Sequence, residues 1–237
     1  MDFGAFVLVA SVSDLREEPR ARAHADAMEF RMDLADEPLV GLDDYDGDLP
    51  LLVTNRPTWE GGQADGGRGP ADPANRDRLR TLELAAEHQA VGAVDIELDS
   101  AREAGGREAI EAARDHGASI VVSSHDFEHT PPGEDLRTTL ETATDVGDVG
   151  KLAVTAEGRA DVLRLLSITH ECTAQGLSVA TMAMGEAGKH SRAVLPLYGS
   201  KLGYAPVDPA AATAPGQYDL ATLRRLIDQL GGTKPEA

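Results

Sequence analysis

The chain has 237 residues, 41% of them hydrophobic, and 41 acidic against 22 basic side chains give a net charge of −19. This excludes the basic face that nucleic acid or an anionic membrane requires, and predicts a surface adapted to high salt. The single cysteine, Cys172, excludes an internal disulfide and a multi-thiolate metal site, and its place in a helical pattern predicts a buried apolar role.

No stretch approaches the ~20 apolar residues of a membrane span. The apolar run Phe3–Val12 lacks a basic lead and a cleavage site, so it reads as a first strand with no base-closing hairpin before it. A cytoplasmic protein is expected. From there, apolar runs predict strands at Ala5–Ser11, Met28–Asp33, Leu51–Arg56, Ala93–Leu98, Ser119–His125, Val149–Thr155 and Ser178–Met184, with a weaker eighth around Tyr198–Tyr204.

Helical spacing fills the gaps. Leu79, Leu82 and Ala86 recur at i, i+3, i+7, as do Leu165, Ile168 and Cys172, while Leu136, Leu140 and Ala143 keep i, i+4, i+7. A last helix repeats Leu220, Leu223, Ile227 and Leu230 and stops at Gly231-Gly232; Pro19 and Pro73 suit first-turn positions. Eight strands alternating with eight helices predict one α/β domain over residues 1–237, a (β/α)8 TIM barrel. An open doubly wound sheet is the alternative, disfavoured because no Gly-rich nucleotide turn follows the first strand. Two long irregular stretches remain. Pro57–Pro73 is Gly-rich without a phosphate loop's lysine and reads as a flexible surface excursion; Tyr204–Gln217 has the length of a lid or binding loop.

The chemistry starts at Lys151. In Val149–Thr155, side chains alternate faces, so Lys151, Ala153 and Thr155 point one way and Leu152 and Val154 the other. A lysine on a small-residue face of a buried strand is costly unless it has a task. In a barrel, functional residues stand at the C-terminal strand ends, which is where Glu29, Arg31, Arg56, Glu60 and His125 fall. Each alone has a dull explanation in an ion pair, a cap or a satisfied histidine; together they form one inward polar cluster. Lysine, histidine and glutamate in concert suit imine catalysis: an amine attacks a ketone, and a histidine oriented by a carboxylate moves protons beside the imine carbon. The amine must be neutral to attack, by desolvation or nearby arginines. No ligand-spaced histidine pair supplies a metal. Asp95 and Glu97 share a face of the fourth strand and read as structural residues of the lower barrel, and Met182 and Met184 as core or pocket lining.

Six segments, in order and covering nearly the whole chain, closely resemble the type I 3-dehydroquinate dehydratase family. They are Glu29-Phe30-Arg31, Thr54-Asn55-Arg56-Pro57-Thr58-Trp59-Glu60-Gly61-Gly62, Ser123-Ser124-His125-Asp126-Phe127, Gly150-Lys151-Leu152-Ala153, the segment from Met184 to Arg192, and Ala214-Pro215-Gly216-Gln217. The resemblance implies a barrel that dehydrates 3-dehydroquinate to 3-dehydroshikimate in the shikimate pathway, through a Schiff base and syn elimination, without metal or cofactor. Lys151 matches the imine-forming lysine, His125 the general acid/base and Glu60 its carboxylate partner. Arg192 matches the arginine that binds the substrate carboxylate, with Gln217 and Thr213 completing that site, while Glu29, Arg31 and Arg56 match the groups that hold the ring hydroxyls. Thr213 stands where many relatives have serine, and the glycine-rich stretch after Glu60 is longer than the family pattern. The resemblance also implies a homodimer. The rivals are an aldolase-like imine former on the same fold, against which the Arg192–Gln217 clamp argues, and a catalytically silent metabolite-binding barrel, weakened by the intact trio Lys151, His125 and Glu60.

Overall fold

The computed structural model describes residues 1–208, 210 and 216–231. Its strands are β1 (Val7–Val12), β2 (Ala27–Arg31), β3 (Leu51–Thr54), β4 (Val91–Glu97), β5 (Ser119–Asp126), β6 (Val149–Thr155), β7 (Val179–Met184) and β8 (Leu202–Pro206). They pair in parallel in the order β7-β6-β5-β4-β3-β2-β1-β8, and a helical segment covers every crossover, giving the (β/α)8 barrel. The helices are uneven. Pro73–Ala86, Ala104–Asp115, Gly133–Val146, Arg159–Ala174 and Leu220–Leu230 are long, whereas the β1–β2 and β2–β3 crossovers carry only Glu18–Ala21 and Pro38–Asp43 as α-helix. Pro19 and Pro73 both take first-turn positions, and the Asp72 carboxylate caps the helix at Pro73 by accepting from Ala74 N–H at 3.0 Å.

Closure between β7 and β8 is irregular. Lys201 N–H donates to Val179 O at 2.8 Å, but the next two β7 amides, Thr181 and Ala183, donate instead to the hydroxyls of Ser200 at 3.0 Å and Ser191 at 3.3 Å. These hydroxyls replace ladder carbonyls at the seam, leaving those buried amides paired. The expected eighth strand starts later than its sequence pattern suggests. Leu195–Tyr198 is a 3-10 turn ending at Gly199 in the left-handed region, φ 96°, and the strand begins only at Leu202.

The interior is layered along the strands. On six of them the inward residue switches from apolar to polar two positions on: Val9 to Ser11, Ala27 to Glu29, Leu52 to Thr54, Ala93 to Asp95, Val121 to Ser123 and Val149 to Lys151. The apolar members join Phe3, Ala180, Leu202 and Tyr204 in one interior cluster that fills the N-terminal half. Outward residues such as Phe30, Val53, Ile96 and Val122 pack under the helices. Leu152 and Val154 do the same in a cluster with residues of the helices Gly133–Val146 and Arg159–Ala174, the second of which carries the fully buried Cys172. The polar half of the barrel is therefore the C-terminal half.

Candidate active site

Lys151 lies 4% exposed on the floor of a cleft at the C-terminal mouth, of about 560 Å³ counted out to its opening. Its Nζ donates to Asp95 Oδ2 at 2.9 Å and rests 4.5 Å from the centroid of the Tyr204 ring. Asp95 Oδ1 accepts from Arg56 Nη2 at 2.7 Å and from the Ser123 hydroxyl at 2.6 Å. Burial alone would raise the Asp95 carboxyl; the Arg56 and Lys151 charges outweigh it and hold the group below the ordinary carboxylate range. Asp95 is thus not a remote acid of the lower barrel, as its strand position suggested, but the direct partner of the Lys151 amine. Glu97 extends the same network by accepting from Arg56 Nη1 at 2.8 Å.

Beside the lysine, His125 Nδ1 faces Glu60 Oε2 at 2.8 Å. Burial, reinforced by Arg56 and Lys151, holds the His125 ring well below its ordinary value, while burial pushes Glu60 up to about 8 against the pull of Arg56. The Phe127 ring stacks on His125, 5.8 Å between centroids and 9° from parallel. The glycine-rich segment following β3 sets Glu60 in place and is not a free excursion. Ala64 N–H donates to Arg56 O at 3.0 Å, Thr58 N–H to Ala64 O at 3.1 Å and Gly62 N–H to Pro57 O at 2.9 Å. Gly61 ends the short 3-10 turn Thr58–Glu60 at φ 77°, and a Cβ there would lie 2.4 Å from the Phe127 ring. The left-handed φ favours glycine in the turn that presents Glu60, and a side chain there would also have to displace the Phe127 ring.

The remaining walls are polar on one side and sulfur-rich on the other. Glu29 accepts from Ser11 Oγ at 2.6 Å and Thr54 Oγ1 at 3.0 Å, and Arg31 is forked onto Asp33 at 2.7 and 2.8 Å. Met182 and Met184 line the cleft as well as the interior core. Arg192 enters from the short helix Ser191–Val194 after β7, 5% exposed, and among the described residues its Nε and Nη2 have no hydrogen-bond partner. Burial lowers its guanidinium to about 10. Gln217 lines the same cleft, brought there by Gly216 at φ 75°, where a Cβ would meet the Gly185 carbonyl oxygen at 2.4 Å. Thr213 lies outside the described residues, as do residues 209, 211, 212, 214 and 215 of the loop expected to form a lid.

The structure thus brings Lys151, His125, Glu60, Glu29, Arg31, Arg56, Arg192 and Gln217 to one cleft. Sequence reasoning missed Tyr204, whose ring carries the amine, and placed it at the end of a strand that in fact centres on it. It also missed Arg78, buried on the helix Pro73–Ala86 with Nη2 on Glu97 Oε2 at 2.6 Å. The signal was there, since Asn75 and Arg78 continue the Leu79–Leu82 stripe at i, i+3 spacing.

Comparison with known proteins gives a consistent result. A sequence profile of the family described as Type I 3-dehydroquinase matches residues 5–234. A 3-dehydroquinate dehydratase of Haloarcula marismortui is 60% identical, over 97% of this chain and 98% of its own length. One of Halobacterium salinarum is 51% identical over 97% and 100%, and these relatives accord with the high-salt reading of the composition. Among solved structures, the 3-dehydroquinate dehydratase of Geobacillus kaustophilus superposes with a TM-score of 0.83 at 29% identity, over 96% of this chain and 92% of that one. The chain belongs to the type I 3-dehydroquinase family.

Proposed function

We propose that the chain converts 3-dehydroquinate into 3-dehydroshikimate and water through an imine on Lys151, with no metal or cofactor. The neutral amine adds to the ring ketone, and loss of water leaves a protonated imine that draws electrons from the adjacent carbon. His125 removes a proton from that carbon, giving an enamine. The enamine expels the hydroxyl on the carboxylate-bearing carbon, and His125 returns its proton so that the hydroxyl leaves as water. Hydrolysis of the conjugated imine frees the product and regenerates the amine. Glu60 orients the histidine; Glu29, Arg31 and Arg56 face the ring hydroxyls, and Thr213 and Gln217 complete the carboxylate site. A cytoplasmic homodimer belongs to the same reading and rests on the family resemblance.

The observation that carries the proposal is Arg192. A buried guanidinium whose Nε and Nη2 have no partner among the described residues is expensive unless a ligand anion completes it. It lines the cleft that holds the buried Lys151, so a substrate with both a ketone and a carboxylate fits. The test is the ultraviolet absorbance of the conjugated enone after adding 3-dehydroquinate; no rise would overturn the reading. Replacing Arg192 by methionine is expected to raise KM roughly 100-fold or more, because the carboxylate loses its buried charge partner. An unchanged KM would remove Arg192 from the clamp.

A further inference from the structure

We propose that Arg78, outside the cleft on the helix Pro73–Ala86, is a positioning residue that sets the charge balance beneath the Lys151 amine through a buried chain of alternating charges. The chain runs Arg78, Glu97, Arg56, Asp95, Lys151. Its links are 2.6 Å from Arg78 Nη2 to Glu97 Oε2, 2.8 Å from Arg56 Nη1 to Glu97 Oε1, 2.7 Å from Arg56 Nη2 to Asp95 Oδ1 and 2.9 Å from Lys151 Nζ to Asp95 Oδ2. The Arg78 side chain is 1% exposed and those of Glu97 and Asp95 are 0%. Out of water, these charges are weakly screened and act on one another along the chain.

The sign follows from the count. With Arg78 in place, three cations face two anions. Without it, Glu97 keeps only Arg56, which is drawn from Asp95, and Asp95 is left to hold the lysine proton more firmly. The amine then stays protonated to higher pH and attacks less readily. Neutralising Glu97 does the reverse. The other charged or titratable groups facing the site are Glu29 and Arg31 from β2, Glu60 after β3, His125 from β5, Arg192 after β7 and Tyr204 from β8. They are common to every variant compared. Arg78 also donates to Asn75 Oδ1 at 2.9 Å and to the Asn55 carbonyl, so a purely structural role is the competing explanation.

The two are separated by the pH dependence of Lys151 carbamoylation by cyanate in the full-length protein, read by peptide mass spectrometry. Isocyanic acid adds across the N–H of a neutral amine to give a urea, so labelling reports the amine without requiring turnover. Arg78→Met should move the labelling midpoint about one pH unit alkaline. Glu97→Gln should move it acidic, the double variant should return it close to the parent, and Arg78→Lys should keep it while lowering thermal stability. Single-variant shifts of the same sign, or none, would overturn the proposal. Should Arg78→Met fail to fold, Glu97→Gln and the double variant decide the sign. The inference takes Lys151 as the reactive amine of the proposed dehydratase. Absence of enone product with opposite labelling shifts would sink that dehydratase reading and leave the relay standing.

Discussion

Replacing Lys151 by methionine is expected to lower kcat for 3-dehydroquinate by about 10⁴-fold or more while the barrel still folds. The proposed covalent route depends on one amine, and among the described residues Lys151 is the only buried lysine; Lys201, for instance, bonds the Gly4 carbonyl far below the mouth. Folding survives because the partner left behind is not orphaned. Asp95 keeps Arg56 at 2.7 Å and the Ser123 hydroxyl at 2.6 Å, and methionine fills the lysine's volume without a cavity. Borohydride added with substrate should fix a ligand-sized mass on the Lys151 peptide of the parent protein and none on the variant. An unmodified Lys151 peptide in the parent, with product still forming, would end the imine mechanism.

The buried lysine of the cleft was legible in sequence because strand geometry has a strict period of two, and a charge among small buried residues has few cheap explanations. The same period fixed which way Lys151 faces. It could not say which charges meet, because contacts across the barrel depend on stagger between strands distant in sequence. Asp95 and Lys151, 56 residues apart, show this: strand position alone put the acid too low. The loop after β3 was misread for a different reason. Its glycines look like flexibility, yet Gly61 forms a left-handed turn against Phe127, a contact made through another strand's end. The eighth strand was offset because the apolar run before it, Leu195–Tyr198, forms a 3-10 turn that ends at Gly199 rather than extended chain.

His125→Ala is expected to lower kcat by roughly 10²- to 10⁴-fold, the usual worth of a positioned acid/base, while borohydride still traps the substrate imine on Lys151. In the proposed mechanism the two residues divide the reaction: one makes the bond, the other moves the proton. The pH dependence should follow the His125–Glu60 pair, which titrates as a unit. With its shared proton in place, either Glu60 is neutral or the ring is imidazolium, and in both forms Nε2 bears hydrogen and cannot act as base. Once that proton leaves, Glu60 is a carboxylate accepting from Nδ1–H, and Nε2 presents a lone pair. Burial pushes Glu60 up to about 8, so the base form grows as pH rises through that value. kcat/KM should therefore climb with pH over that range in the parent protein. In His125→Ala the contribution of the pair to that climb should vanish, since no ring remains to switch. A variant that retained both the rate and the climb would show that another group abstracts the proton.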